Sequence, residues 1–255
     1  MKNPRHILIT GASSGIGEAL ALHYAAPGIR LSLSGRDPDR LAQVVSEAEK
    51  KGAAATGNIV DVRDQQAMSA WIVSQDAQAP IDLVIANAGI SGGTAGHVHG
   101  EPSDQVRHIF DVNLYGVLNT IDPILPIMLS RETGQIALVS SLAAFRGWPG
   151  APAYSASKGA VRFYGEALRG ALMGTGVKIN VICPGFVVSR MTDANDFPMP
   201  FLMSASQAAR LIAKGLRTNR GRIAFPFITH VMSWFVSVLP DALVQKILIK
   251  LPRKK

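Results

Sequence analysis

The sequence predicts an α/β domain in which a central, mostly parallel seven-stranded sheet carries helices on both faces, a doubly wound arrangement. Three observations carry that expectation. Short β-branched or leucine-rich runs alternate with helical patterns along the chain, and the first run opens directly into a glycine-rich turn and then a helix. No linker, repeat or biased segment divides the 255 residues, so a single domain over 1–255 is expected. Apolar residues make up 47 % and charged ones 17 %, the balance of a chain with a substantial core.

The first strand is expected over Ile7 to Thr10, followed by Thr10-Gly11-Ala12-Ser13-Ser14-Gly15-Ile16-Gly17 and then the helical spacing of Ala19, Leu20, Leu22 and His23. Glycines between a strand and a helix let backbone approach a pyrophosphate, and the helix N-terminus offers free N–H groups and the positive end of its dipole. The second strand, Arg30 to Ser34, ends in Gly35-Arg36-Asp37, where Asp37 reads as a helix N-cap with Pro38 at the first helical position. Ala54 to Ile59 gives the third strand, Leu83 to Ala86 the fourth, with Asn87-Ala88-Gly89 behind it, and Gln135 to Ser140 the fifth. Lys178 to Cys183 gives the sixth, leading into Pro184-Gly185; Ser204 and Gln207 have capping-box spacing, and Arg222 to Phe225 gives the seventh. In such a sheet ligands bind beyond the carboxyl ends of the strands, where these motifs fall.

From Ile223 the chain changes character. Residues 223–240 are almost uncharged but are interrupted by Pro226, His230 and Pro240, so they do not make the clean stretch of about twenty apolar residues that a spanning helix wants. Asp241 to Leu251 places Lys246 and Lys250 on one side and Leu243, Val244, Ile247, Leu248 and Leu251 broadly on the other. The apolar and basic segment 226–255 therefore reads as lying on an anionic membrane surface, as covering a substrate entrance or subunit interface, or as an ordinary terminal helix packed on the body.

The formal charge of +8 invites a nucleic-acid partner, but Lys246, Lys250, Arg253, Lys254 and Lys255 all fall in the last ten positions with no acid among them. The body shows no basic face interleaved with aromatics, so no nucleic-acid partner is expected. Cys183 alone excludes an internal disulfide and suits a reducing compartment; with no room for a secretory leader before the first strand, a cytoplasmic site is expected, peripheral on a membrane if the C-terminal segment touches lipid. His97 and His99 lack further ligands at metal-site spacing, and no metal is expected; His23 and His108 read as structural.

Tyr154-Ser155-Ala156-Ser157-Lys158 puts a phenol and an ammonium one turn apart on one helix face, with Ser141 thirteen residues ahead of the tyrosine. A phenol titrates near ~10, and bringing it three units down takes ~4 kcal/mol, about what one ammonium at ~4 Å supplies in an effective dielectric of ~20. The pair is suited to general acid/base work near neutral pH. The G-x-x-x-G-x-G turn, Asn87-Ala88-Gly89, Asn113, Ser141, Tyr154, Lys158 and Pro184-Gly185, in that order between about residues 5 and 192, together resemble the short-chain dehydrogenase/reductase family.

That resemblance implies a Rossmann-like fold and a hydride transfer between a nicotinamide and a carbonyl or alcohol carbon. It implies Tyr154 as the proton donor or acceptor, Lys158 as the group that lowers its pKa and binds the nicotinamide ribose, Ser141 as the partner of the substrate oxygen, and Asn113 as a helix-kinking residue that relays protons through water to the lysine. Gly11, Ser13, Ser14, Gly15, Ile16 and Gly17 would cradle the pyrophosphate, Asp61 would contact the adenine, and Asn87, Ala88 and Gly89 would line the adenosine side. Pro184, Gly185, Val187 and Ser189 would hold the carboxamide, with serine where the family usually has threonine. Gly35 and Arg36 stand where an acid would select NAD(H), so NADP(H) is preferred and NAD(H) is the second choice, although Asp37 follows at once and Ser14 stands where a basic residue would have strengthened the preference. Residues 190–204, with Met191, Phe197, Met199, Phe201 and Met203, joined by Phe145 and Trp148, read as an apolar lid over a hydrophobic carbonyl or alcohol substrate. Family resemblance implies a homodimer or homotetramer. The alternative is a non-catalytic dinucleotide-sensing or membrane-associated binding protein on the same fold.

Overall fold

The computed structural model describes residues 3–94 and 100–248. His97 and His99, and Lys250, Leu251, Arg253, Lys254 and Lys255, lie outside the described residues, as do the side chains of Lys246 and Ile247. The strands are β1 His6–Ile9, β2 Arg30–Gly35, β3 Ala54–Ile59, β4 Leu83–Ala86, β5 Gly134–Val139, β6 Val177–Pro184 and β7 Arg222–Phe225. They form one seven-stranded sheet in the order β3-β2-β1-β4-β5-β6-β7, and every neighbouring pair is parallel. The expected "mostly parallel" sheet is thus wholly parallel among the described residues. Every position of β1, β4 and β5 is buried, as strands covered on both faces require.

The helices are α1 Gly15–Tyr24, α2 Pro38–Lys50, α3 Gln65–Gln78, α4 Ser103–Phe110, α5 Gly116–Ile121, α6 Leu125–Ser130, α7 Pro152–Ala171, α8 Arg190–Asp193, α9 Ala205–Arg217, α10 Phe227–Val238 and α11 Asp241–Leu248. Leu20 of α1, Leu41 and Val44 of α2 and Ile212 and Leu216 of α9 pack on one side of the sheet; Met68 and Ile72 of α3, Ile121 of α5 and Val161 of α7 pack on the other. The sequence signals for helix starts hold: Asp37 Oδ1 accepts the Arg40 N–H at 3.0 Å with Pro38 at the first position, and Ser204 and Gln207 cap each other reciprocally, each at 3.2 Å.

Three details position the site. The switch in winding direction lies between β1 and β4, whose registers Ile7 with Leu83 and Ile9 with Ile85 bring the Thr10–Gly11 and Asn87–Gly89 segments out side by side. Helix α4 runs into α5 through one wide π-turn, Asp111–Tyr115, with Asn113 inside it; such turns gather at functional sites. The apolar stretch 223–240 resolves into β7 and α10, and here the sequence reading is corrected: Pro226 and Pro240 flank the helix, and His230 sits within it rather than interrupting it. In α11, Val244 and Leu248 are buried four residues apart, whereas Leu243, expected beside them, falls off that stripe and is 55 % exposed.

Candidate active site

A cleft of about 1190 Å³ opens beyond the carboxyl ends of the strands, more than the ~300–1,000 Å³ of a typical small-ligand pocket. Its floor is the glycine turn. Gly11 adopts φ +65°, and a β-carbon there would lie 2.8 Å from Ala88 Cα; at Gly17 one would lie 2.3 Å from the Gly11 carbonyl oxygen. Neither position admits a side chain without backbone movement. Thr10 Oγ1 accepts the N–H groups of Asn87 and Ala88 at 3.1 and 3.2 Å, while Asn87 Nδ2 donates to the Thr10 and Gly11 carbonyls at 2.9 and 3.1 Å. The amide thus clasps β4 to the turn, leaving Ser13, Ser14, Gly15 and Ile16 along the cleft at the start of α1. A narrow backbone cradle at a helix N-terminus fits a dinucleotide pyrophosphate.

Every residue named above for the cofactor lies on the cleft wall except Gly17, which packs beneath the turn against Gly11. At the end of β2, Arg36 faces the cleft and Asp37 is committed elsewhere: it caps α2 and pairs with Arg40 Nη2 at 2.7 Å. Asp61 is gripped by Arg63, whose guanidinium donates at 2.6–3.1 Å, and the pairing holds its carboxyl below the usual range.

Ser141 leaves the end of β5 in extended backbone and caps the short turn Leu142–Ala144, its Oγ accepting the Ala143 N–H at 3.1 Å. Tyr154, in the first turn of α7, is half-buried and keeps part of its surface on the cleft, as Ser141 does. Lys158, a turn further on, is 3 % exposed and donates from Nζ to the Val139 carbonyl at 2.9 Å. Burial pushes the lysine down to about 8. These positions correct the electrostatic expectation. Burial raises the Tyr154 pKa, opposed only by the Ser141 side chain, and the lysine amine is directed at β5 rather than at the phenol. Helical spacing puts two side chains on one face; it does not dictate where a long, flexible side chain ends.

Asn113 is fully buried and off the cleft wall. Its Oδ1 accepts the Ile90 N–H at 2.8 Å, and its Nδ2 donates to the Ile90 carbonyl and Ser157 Oγ, both at 3.0 Å. A β-carbon on Gly89 would lie 3.1 Å from Lys158 Nζ and 3.2 Å from Asn113 Oδ1, so the three meet at that glycine.

In the segment 190–204, expected to form a lid, Met203 bridges to Val187, and Phe197 packs edge-on against Trp148 and Phe186 with centroids 5.8 and 6.1 Å apart. Met191 and Phe197 line the cleft; Met199, Phe201 and Met203 do not. Sequence reasoning missed Arg40, which joins Arg36 on the wall one helical turn from Asp37, and Arg146, which lines the cleft and ties to Asp241 of α11. It also missed Thr229, Met232, Ser233 and Val236, the edge of α10 that closes the far side. Their i, i+3, i+4, i+7 spacing was readable, but nothing in it points to a ligand.

The chain matches the short chain dehydrogenase family over residues 5–197. It is 41 % identical over 240 residues to an uncharacterized oxidoreductase of Myxococcus xanthus (strain DK1622), covering 94 % of both chains. It is 35 % identical over 184 residues to the ketoacyl reductase HetN of Nostoc sp. (strain PCC 7120 / SAG 25.82 / UTEX 2576), covering 71 % of this chain and 63 % of that protein. A solved 3-oxoacyl-(acyl-carrier protein) reductase of Brucella melitensis with bound NAD superposes with a TM-score of 0.74 at 28 % identity, covering 86 % of this chain and 89 % of the other. A short-chain dehydrogenase/reductase of Burkholderia phymatum, solved with NAD, shares the fold over the whole chain and 98 % of its own, with a TM-score of 0.83 at 24 % identity. The chain belongs to the short-chain dehydrogenase/reductase family. It is an oxidoreductase acting on CH–OH donors, with a nicotinamide dinucleotide as cofactor.

Proposed function

We propose that this protein is an NADP(H)-dependent reductase of hydrophobic carbonyl compounds, working reversibly on the matching secondary alcohols, with Tyr154 as general acid/base. The observation that carries the reading is that Ser141, Tyr154 and Lys158 share the wall of one cleft with the glycine turn. When bound, the dinucleotide supplies or accepts the hydride at the substrate carbon. Ser141 Oγ already accepts the Ala143 N–H, so its own hydrogen is available to donate to a substrate oxygen as charge develops there. Tyr154, kept protonated by burial through the neutral range, gives its proton to that oxygen in reduction. Lys158 supplies a nearby titratable amine, and Asn113 holds Ile90 and Ser157 in place around it.

For the cofactor, Gly11, Ser13, Ser14, Gly15 and Ile16 hold the pyrophosphate, Arg36 takes the 2′-phosphate with Arg40 beside it, Asp61 faces the adenine, and Pro184, Gly185, Val187 and Ser189 hold the carboxamide. The commitment of Asp37 to Arg40 and the cap of α2 supports NADP(H), because the acid next to Arg36 is already neutralised. The aromatic lid and the relatives named as ketoacyl and 3-oxoacyl reductases support an acyl-chain or similarly lipophilic substrate. A homodimer or homotetramer in the cytoplasm completes the reading, in line with the family and with the buried free thiol of Cys183.

The test is oxidation of NADPH with a panel of lipophilic ketones and small polar sugars, for wild type and Tyr154→Phe. We expect turnover of the ketones, lost at least ~10³-fold in the variant, with NADPH binding retained. Wild-type turnover by the variant removes the tyrosine assignment; activity confined to sugars removes the substrate class.

A further inference from the structure

Helix α10 is built inside out. Its outer face carries Phe227, Ile228, Val231, Met232, Trp234, Phe235 and Val238, each 44–77 % exposed. At 100° per residue these seven fill an arc of about 160° with no polar residue among them. The polar residues Thr229, His230, Ser233 and Ser237 fall on the other arc and are half-buried; Thr229 and Ser233 line the cleft, and the His230 ring stands edge-on to Phe145 at 5.5 Å. No residue of α10 is fully buried. An ordinary helix on a soluble surface shows the opposite polarity, so the outer arc is shaped for an apolar medium.

We propose that this arc docks on the surface of an anionic lipid bilayer, with Phe227, Val231, Trp234 and Phe235 in the headgroup layer and the cleft mouth held against the membrane. Length excludes a span: twelve residues reach ~18 Å, against ~30 Å of hydrocarbon, so the helix lies in the interface plane. Charge selects the partner. Residues 246–255 hold five cations and no acid, and the chain carries +8, which an anionic surface attracts. Trp234 sits in the arc as an amphipathic ring suited to the headgroup level. The inverted face adjoins the cleft along Met232, which belongs to both, so docking opens the site to lipid-dissolved substrates. The docking does not rest on the catalytic reading, because it is measured without turnover.

The experiment is sedimentation of the full chain with vesicles of equal parts phosphatidylglycerol and phosphatidylcholine, and with phosphatidylcholine alone. We expect partition onto the anionic vesicles at least ~10-fold above the neutral ones, weakened as salt is raised, with a blue shift of the tryptophan emission that Trp234→Phe removes. Val231→Ser/Phe235→Ser is expected to cut partition at least ~10-fold while NADPH binding and the thermal midpoint stay unchanged. Lys254→Gln/Lys255→Gln should weaken it in the same direction. Failure of the wild-type protein to sediment with anionic vesicles overturns the proposal. So does equal binding by the double serine variant, or a fall of that variant to a smaller species in sedimentation velocity, which would assign the face to a second copy.

Discussion

Lys158 should make this protein more stable as the solution becomes more alkaline, and replacing it should abolish that behaviour. Burial lowers its pKa from 10.5 to about 8. Between those values the folded lysine has lost its proton while the unfolded one keeps it, so the unfolded state binds more protons and stability rises with pH. Below pH 8 the full penalty is present, and above 10.5 it is gone. At about 1.4 kcal/mol per pH unit the rise is ~3 kcal/mol. Lys158→Met removes that penalty at pH 7 but also the Nζ bond to the Val139 carbonyl, a charged, buried hydrogen bond worth ~1.5–3 kcal/mol. The variant should therefore be equal to wild type or up to ~2 kcal/mol more stable at pH 7, and ~1–3 kcal/mol less stable above pH 10.5, the two differences lying ~3 kcal/mol apart. Cys183 works in the opposite sense: burial raises its thiol from 9.0 to about 12, so its contribution is present below pH 9 and is lost as pH climbs through that window. Its charge also couples to the lysine, so the comparison belongs in a Cys183→Ala background. Urea unfolding from pH 6 to 11 measures the difference between the two proteins, and a difference that does not change with pH refutes the reasoning.

Arg36→Asp places an acid at the end of β2, where it repels a 2′-phosphate, and should move the kcat/KM ratio toward NAD(H) by at least ~10²; an unchanged ratio in steady-state assays with both cofactors would show that Arg36 does not choose. Because burial raises the Tyr154 pKa, alcohol oxidation, which needs the deprotonated phenol, should climb about tenfold per pH unit from neutral upward, while carbonyl reduction stays level until that pKa is reached. An oxidation optimum near pH 6 contradicts this. Gly17→Ala would put a β-carbon 2.3 Å from the Gly11 carbonyl oxygen and 2.6 Å from Asn87 Nδ2, so the turn must shift. NADPH affinity by fluorescence titration should fall at least ~10-fold, with ~1–3 kcal/mol of stability lost; wild-type affinity would mean the clasp does not shape the cradle.

Much of this architecture was legible because its determinants are local. The seven strands lie within a residue of the bounds expected from their short apolar runs, and Asp37-Pro38 and Ser204 with Gln207 cap helices as their spacing implies. The order of the strands set the switch point, and with it the meeting of the glycine turn and Asn87. What spacing could not give was the direction of a long side chain or the partner of a charge. Lys158 lies on the same helical face as Tyr154 yet ends on the Val139 carbonyl, and Asp37, adjacent to Arg36 in sequence, is taken by Arg40. Those outcomes depend on neighbours contributed by other strands and helices.

Two departures from the usual packing of polar and apolar residues border the cleft. At Lys158 an ammonium-bearing residue is 3 % exposed, and at α10 seven large apolar residues cluster on one outward face while threonine, serine and histidine face in. Neither arrangement improves the free energy of an isolated, ligand-free chain, since one keeps a charge from water and the other keeps apolar area in it. Violations of consistency are expected to collect where function sets the residue. The lysine has a reason in the proton transfer proposed for this site. The inverted helix has no comparable reason within the protein itself, and it acquires one once the face beside the cleft meets a medium as apolar as its side chains.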